Sequence, residues 1–146
     1  MKRTIPLLLV LLLAPAATAC GDDAEEATTT AAAGEAVLTI GGTAFTMADL
    51  EALGAETFNL EHPKNGPTDY TGVRLNAVLD AAGIDAAPAT ITFVASDGYS
   101  YEAPGADVRA CADCLAAFND EGGINMAMPG MESKAWVKDV VEITAG

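Results

Sequence analysis

Basic residues are scarce in this sequence, with seven Lys and Arg against 21 Asp and Glu and a formal net charge of −14 at pH 7. Neutralising nucleic acid phosphates requires clustered Lys and Arg, so this composition excludes nucleic acid as a partner and argues against charge-driven binding to anionic lipid. His62 is the single histidine, which excludes a zinc site built on two histidines. The chain contains no Gly-x-Ser-x-Gly sequence, phosphate-binding loop or suitably spaced carboxylate pair, so no catalytic residue is predicted.

Cysteine is also scarce, and the first of the three cysteines follows a pattern typical of export. Lys2-Arg3, an apolar run from Ile5 to Leu13 and the small residues Ala17-Thr18-Ala19 precede Cys20, which predicts a signal peptide over residues 1–19. The apolar run is too short to span a bilayer. Removal of this segment would leave a mature chain with a formal charge of −16, because the two positive charges of Lys2-Arg3 are lost.

Ala17-Thr18-Ala19-Cys20 resembles the lipobox of bacterial lipoproteins, in which the cysteine is diacylated and becomes the mature N-terminus, although leucine usually stands where Ala17 is. The alternative is ordinary cleavage before an unmodified Cys20. We favour lipidation, because it leaves Cys111 and Cys114 as an even pair in an oxidising compartment. The sequence therefore predicts an exported domain that a lipid on Cys20 anchors to the membrane of the bacterial cell envelope.

The composition changes after Cys20 and again near Val37. Residues 20–36 contain no large apolar side chain and are rich in acidic residues, Thr and Ala, so they are predicted to form a disordered tether. As a flexible coil this tether would hold the domain on the order of 20 Å from its anchor. Residues 37–146 are predicted to form one folded domain.

The stretch from Pro88 to Ala103 is predicted to form the centre of that domain. Two β-prone runs flank Ser96-Asp97-Gly98, and a three-residue loop with Gly98 in the left-handed conformation would set Phe93 opposite Tyr101. This register collects most of the apolar side chains on one face, whereas a two-residue loop would set Phe93 opposite Glu102. We therefore predict an antiparallel ribbon with one apolar face.

The other predicted elements are short and show no regular alternation of strand and helix. Thr46 is predicted to cap a helix with Asp49 in the capping-box position, and Gly83 to end a helix in the left-handed conformation. The segment from Cys114 to Phe118 fits either a continued helix or a strand. The predicted fold class is α+β with a mixed or antiparallel sheet. The remaining predictions are strands over Val37–Ile40, Thr43–Phe45, Thr57–Glu61 and Ile124–Met128, helices over Met47–Leu53, Arg74–Ala82 and Asp107–Ala112, a loop over His62–Pro67, and a last strand over Trp136–Ile143 with a bulge near Lys138-Asp139.

Four short segments occur in an order that resembles a known family. They are Tyr70-Thr71-Gly72-Val73-Arg74-Leu75, the helix from Asn76 to Ile84, the turn from Ala95 to Ser100, and Pro129-Gly130 followed by Lys134-Ala135-Trp136-Val137-Lys138. In these segments the chain resembles the molybdopterin-binding oxidoreductase domain of the sulfite-oxidase type, over about Phe45 to Ile143. The resemblance implies an α+β fold around a curved sheet, a molybdopterin cofactor and oxidoreductase activity.

The chain departs from that family at the residue that matters most for catalysis. In catalytic members a cysteine before the Thr-Gly segment ligates molybdenum, and the corresponding stretch here, Phe58 to His62, contains no ionisable sulfur. Lys134 and Lys138 lie in the family's closing segment and are candidates for binding the anionic cofactor, the alternative being solvated lysines on an edge strand. The cofactor is therefore unassigned, with molybdopterin implied by the resemblance alone, and no metal ligand is predicted.

Cys111-Ala112-Asp113-Cys114 fits a structural disulfide, a redox disulfide or half of a metal site. Leu115 stands where a c-type haem would require histidine, and the surroundings lack a thioredoxin-like strand and helix. We favour a plain surface disulfide between Cys111 and Cys114, because the chain is predicted to be exported. Its loop is so small that it would contribute only about 2 kcal/mol, and a redox role is kept as a hypothesis.

Three methionines raise the possibility of a copper site. Met126, Met128 and Met131 supply thioether sulfurs, which suit Cu(I). Met126 and Met128 also alternate with Ile124, as residues on a core-facing strand do, and we favour this interpretation.

These observations lead to one functional hypothesis and two alternatives. The leading hypothesis is a non-catalytic binding or redox-accessory module with an unidentified redox or protein partner, because the molybdenum-ligating cysteine is missing. The first alternative is an active molybdopterin-dependent oxidoreductase whose site another ligand or a partner chain completes. The second is a copper-handling lipoprotein.

Overall fold

The structure, a computed structural model, describes residues 34–146, so the predicted signal peptide, Cys20 and most of the predicted tether lie outside the described residues. Strand β1 begins at Ala36, one residue before the predicted start of the folded domain. In chain order the elements are β1 Ala36–Ile40, β2 Thr43–Thr46, α1 Met47–Ala52, β3 Glu56–His62, β4 Gly66–Arg74, α2 Leu75–Ala81, β5 Thr90–Ala95, β6 Ser100–Pro104, α3 Gly105–Ala110, β7 Leu115–Phe118, β8 Ile124–Ala127, a 3-10 turn Ser133–Ala135 and β9 Val140–Ala145.

The strands form two sheets, which confirms the predicted α+β class. One sheet has five strands in the order β2-β1-β9-β5-β6, and the other has four in the order β3-β4-β7-β8. The pairing of β1 with β9 is parallel and every other pairing within the described residues is antiparallel. None of the helices that residues 34–146 form is long and apolar enough to cross a membrane.

The predicted central ribbon is confirmed, with the register that the apolar pattern required. Phe93 pairs with Tyr101 and Ile91 with Ala103 across β5 and β6. Gly98 has φ +89°, and the N–H of Ala95 donates to the carbonyl of Tyr99 at 2.8 Å, which closes the three-residue loop. β9 pairs with the other edge of β5, so β5 is an interior strand and β6 is an edge strand of the five-stranded sheet.

The predicted hairpin and helix cap near the start of the domain are also confirmed. β1 and β2 pair across Gly41-Gly42, both of which have positive φ, as a two-residue hairpin turn requires. The hydroxyl of Thr46 accepts the backbone N–H of Asp49 at 3.2 Å, and the Asp49 carboxylate accepts the N–H of Thr46 at 2.9 Å. Both partners of the capping box are therefore in place at the start of α1.

Strand β4 is absent from the sequence predictions. The predicted loop before it and the predicted helix after it are therefore corrected. β3 runs through His62, β4 begins at Gly66, and α2 begins at Leu75 and not at Arg74, so the predicted loop shrinks to the tip of a hairpin. Before Val73, strand β4 has one large apolar side chain, Tyr70, so apolar alternation does not reveal it. Cross-strand polar pairs stabilise it instead, namely Thr57 with Thr71 at 2.7 Å and Asn59 with Asp69 at 2.7 Å.

The last strand also begins later than predicted. β9 starts at Val140, because Trp136 to Asp139 leave the five-stranded sheet and the carbonyl of Val137 accepts the N–H of Met126 on β8 at 2.7 Å. Asp139 has φ +49°. The bulge in the pairing of β9 with β5 lies at Val141, because Val94 pairs with Glu142 and the next residue, Ala95, pairs with Val140. The prediction of a bulge near Lys138-Asp139 is therefore wrong in position.

In the C-terminal half the structure adjusts the bounds of one predicted helix and decides between two alternatives for the segment that follows it. The helix predicted over Asp107–Ala112 is observed as α3, which begins two residues earlier and ends at Ala110. The segment after Cys114 is a strand, β7, and does not continue the helix.

Arg109 joins two helices at the edge of the core. Its side chain is 12% exposed, and its Nη1 donates to the Asp80 carboxylate at 2.6 Å. Its Nη2 donates to the carbonyl oxygens of Ile84 and Asp85 at 2.6 and 2.9 Å. One guanidinium thus satisfies the backbone that follows α2 and fixes this backbone to α3.

The capping box predicts a pH-dependent contribution to stability. Hydrogen bonds from the Thr46 hydroxyl and backbone N–H lower the pKa of Asp49 below its ordinary value of 3.8. A lowered folded-state pKa stabilises the fold above the ordinary value, and this contribution is lost as the pH falls through the folded-state pKa. We expect Asp49→Asn to lower the urea midpoint at pH 7, and the difference from the parent to shrink below pH 3.8.

Asp85→Asn is the matched control, because the structure engages Asp85 through its backbone carbonyl and its side-chain carboxylate forms no ion pair within residues 34–146. Urea denaturation at a series of pH values measures both variants. A deficit in Asp49→Asn that stays constant as the pH falls from neutral to well below the ordinary Asp value would contradict the assignment.

Candidate functional site

A cleft of about 230 Å³ opens where the outer part of the β3–β4 hairpin faces β8 and the segment before β9. β7 pairs with β4 only from Gly72 to Arg74, so the outer part of the hairpin extends past β7. The residues that line the cleft are His62, Asn65, Tyr70, Asn125, Met126, Trp136 and Lys138.

Three aromatic side chains form one wall of the cleft. The ring of His62 contacts Trp136 edge to face, with centroids 4.6 Å apart, and the Tyr70 ring lies 5.6 Å from Trp136. Trp136 is 8% exposed, and its indole N–H has no hydrogen-bond partner within the described residues. A buried unpaired donor costs about 1–3 kcal/mol, and this one belongs to a residue that lines the cleft.

Hydrogen bonds fix the orientation of His62. Its Nδ1 accepts the backbone N–H groups of Lys64 and Asn65 at 3.0 and 3.2 Å. The proton of the neutral imidazole therefore lies on Nε2, which is a donor. The hairpin tip thus fixes both the ring position and the tautomer.

The opposite wall also offers donors. The Oδ1 of Asn125 accepts from the backbone N–H of Asp139 at 2.9 Å and from the side chain of Asn119 at 3.3 Å, so its NH₂ group is the part that stays available. Lys138 is exposed and forms no ion pair within residues 34–146.

The cleft has no carboxylate in its lining, although the chain as a whole is strongly acidic. A shallower depression of about 440 Å³ adjoins it at Asn125 and Lys138, and Asp120, Glu121 and Asp139 line that depression. Lys138 therefore lies between a donor-lined cleft and an acidic surface. The arrangement is suited to holding an anion in the cleft, and it contains no nucleophile next to a base.

The two lysines singled out in the sequence do not lie together. Lys138 lines the cleft, whereas Lys134 lies in the 3-10 turn, where its carbonyl accepts the Tyr99 hydroxyl at 3.4 Å. The lipidation candidate, Cys20, lies outside the described residues. The structure therefore brings one of the two candidate cofactor-binding lysines to the cleft.

The cysteine pair and the methionines lie mainly elsewhere. Cys111 and Cys114 are bonded to each other, and neither lines the cleft. Met126 and Met128 are 2% and 0% exposed, as residues of a core are, and only Met126 reaches the cleft wall. Within the described part of the chain, no three His, Cys, Asp or Glu side chains are grouped as a metal site requires.

Sequence reasoning does not identify Tyr70, Trp136 and Asn125 as cleft residues. The sequence pattern places Tyr70 at the approach to a helix and Trp136 in a strand. The one available signal is that the chain has a single Trp and a single His, both able to stack. Their contact depends on a pairing between distant segments, which spacing does not reveal.

No protein-family model matches the chain, and no curated protein matches it. Among solved structures the chain is similar to the sulfane dehydrogenase SoxCD from Paracoccus pantotrophus, with a TM-score of 0.46 and 20% sequence identity. The similarity covers 65% of this chain and 28% of that chain, so this chain spans little more than a quarter of it. A similarity of this extent assigns no activity to the cleft.

The ring contact predicts the effect of replacing His62. We expect His62→Ala to lower the free energy of unfolding by about 1 kcal/mol, since it removes an aromatic pair. It should also shift the emission of Trp136, the single tryptophan, to longer wavelength as the indole becomes hydrated. His62→Phe keeps a ring but removes the Nδ1 acceptor, and should retain the emission maximum. Unchanged emission in His62→Ala would contradict the contact.

Proposed function

We propose that this domain is a ligand-binding module without catalysis of its own, and that the cleft lined by His62, Tyr70 and Trp136 binds a small anion with a planar apolar group. The observation that carries the proposal is a cleft that is lined by donors and aromatic rings, and by no carboxylate, in a chain of net charge −14. The rings offer a face for a planar group, and Lys138 offers a charge that no described carboxylate neutralises within ion-pair distance.

The cleft does not fit the molybdenum–pterin group that the family resemblance implies. A thiolate ligand would have to come from a cysteine, and the two described cysteines are bonded to each other away from the cleft. The pterin phosphate would want several cationic partners, and Lys138 is the single Lys or Arg in the lining. We therefore assign no step of a reaction to that group, and the proposed role is binding.

The proposal predicts selective binding of a planar anion. Benzoate is a suitable probe, and benzamide is its neutral counterpart of similar shape. We expect benzoate to change the fluorescence of Trp136 on titration, and Lys138→Met to weaken its binding about tenfold, the loss expected from removing one charge-assisted contact of roughly 1.4 kcal/mol. Lys134→Met is the matched control, because Lys134 does not line the cleft, and it should leave the affinity unchanged.

Two outcomes would overturn this proposal. One is benzamide binding as tightly as benzoate, which would remove the role of charge. The other is stoichiometric molybdenum together with pterin in protein from a molybdenum-replete host, which would support the oxidoreductase alternative.

The same metal analysis tests the copper alternative, for which copper should be lost in Met126→Leu/Met128→Leu.

We also propose that the chain is exported and anchored to the cell envelope through a diacylated Cys20. The support is the order of a basic start, an apolar run and small residues before Cys20. We expect Cys20→Ser to move the protein from the membrane fraction to the soluble fraction, because it removes the acylated sulfur. Mass spectrometry of the N-terminal peptide measures the modification directly, and an unmodified Cys20 in membrane-bound protein would refute the anchor.

A further inference from the structure

We infer that the Cys111–Cys114 disulfide exchanges with an external dithiol, and that the incoming thiolate attacks Cys111 from a groove beside it. This activity is separate from ligand binding in the cleft, because the residues involved are different. It would give the domain a redox function in the compartment to which the sequence directs it.

The two sulfur-bearing residues differ in accessibility. Cys114 is 0% exposed, whereas Cys111 is half-buried and lines a groove of about 290 Å³. The other residues of the groove are Asp107, Ala110, Pro129, Gly130 and Met131. Thiol–disulfide exchange requires a thiolate to reach one sulfur of the bond, so access alone selects Cys111 as the attacked atom and Cys114 as the leaving group.

The loop between the cysteines is fixed by bonds that do not involve sulfur. The Nη1 of Arg74 donates to the carbonyl of Ala112 and to the Asp113 carboxylate, the latter at 3.0 Å. The N–H of Leu75 donates to the carbonyl of Cys114 at 2.8 Å. Because these bonds remain when the S–S bond opens, reduction is expected to leave the loop in place.

Further contacts of Arg74 and Asn76 help to hold the loop between the cysteines in place. The guanidinium of Arg74 lies over the Phe58 ring at 4.6 Å, and the Asn76 side chain donates to the carbonyls of Arg109 and Cys111 at 3.1 and 3.4 Å. The loop thus has supports on both sides of the disulfide. A rigid loop of this kind keeps the two sulfurs close, so the bond can form again after reduction.

The exchange balances in two steps. A thiolate of the external dithiol attacks the Cys111 sulfur, a mixed disulfide forms, and Cys114 leaves as a thiolate. The second thiolate of the dithiol then attacks its own neighbour in the mixed disulfide and releases the Cys111 thiolate. The dithiol loses two electrons and two protons, and the two cysteines receive them, so that one disulfide is formed and one is reduced.

The charge around the groove favours one kind of thiol. Asp107 lines the groove and forms no ion pair within residues 34–146, whereas Asp113 in the loop is paired with Arg74, and the chain has a net charge of −14. Glutathione is an anion and would be repelled, whereas a Cys-x-x-Cys peptide flanked by lysines would be attracted. Both reagents attack through a thiolate, so the rates at which they reduce the disulfide can be compared directly.

The test uses the full chain with Cys20→Ser, so that no third thiol interferes. In this background we expect the reduced lysine-flanked Cys-x-x-Cys peptide to reduce the disulfide about tenfold faster than glutathione at equal thiolate concentration. On treatment with oxidised glutathione, the Cys111 thiolate of a Cys114→Ala variant should break the S–S bond of the reagent, release one glutathione thiolate and keep the other glutathione as a mixed disulfide that mass spectrometry detects. Cys114 in the matched Cys111→Ala variant should carry none.

Adducts of equal extent on both variants, or on Cys114 alone, would overturn the inference. A second measurement does not depend on those variants: the reduction rate of the parent is followed across urea concentrations below the unfolding transition. Exchange through the groove is independent of urea in that range. A rate that rises with urea in step with global unfolding would show a structural disulfide only, and would leave the benzoate result unaffected.

Discussion

The four residues from Trp136 to Asp139 bond to both sheets, and the arrangement of the domain depends on this double attachment. The carbonyl of Val137 accepts the N–H of Met126 in the four-stranded sheet, and the carbonyl of Asp139 accepts the N–H of Ser96 at the end of β5, at 2.7 and 2.8 Å. A segment divided in this way cannot continue as a strand of either sheet. It therefore places Trp136 against the β3–β4 hairpin, and the cleft forms where these parts meet.

Strand β4 relates the cleft to the disulfide loop. Tyr70 lines the cleft, Gly72 packs against β7, and Arg74 holds the loop between the cysteines. A Cβ atom at Gly72 would lie 2.6 Å from the Cα of Ala117, so the absence of a side chain permits the contact between β4 and β7. One strand thus carries side chains of both the cleft and the disulfide loop.

The sequence predicted the features that depend on neighbouring residues. It did not predict the features that depend on pairing between distant segments. The register of β5 with β6 and the Thr46 cap follow from turn chemistry and side-chain alternation, which act over a few residues. β4 escaped prediction because its stabilising pairs are polar and cross-strand, and the strand predicted at Trp136 is wrong because the bonds from this segment to β8 are non-local. The cleft shares this origin. Lys138 could be named from the sequence, but its grouping with His62 requires the fold.

Charge and distance together explain how an acidic chain can hold an anion. The carboxylates that give the net charge of −14 are spread over the surface, and in 0.1 M salt their field is screened beyond about 10 Å. A contact with Lys138 would act at hydrogen-bonding distance, where screening is weak, and two other lining residues, Asn125 and His62, also carry donor groups. Salt therefore weakens the long-range repulsion more than the local attraction. On the proposed function, the acidic surface would limit indiscriminate binding of anions, while the cleft would retain those whose shape fits its aromatic wall.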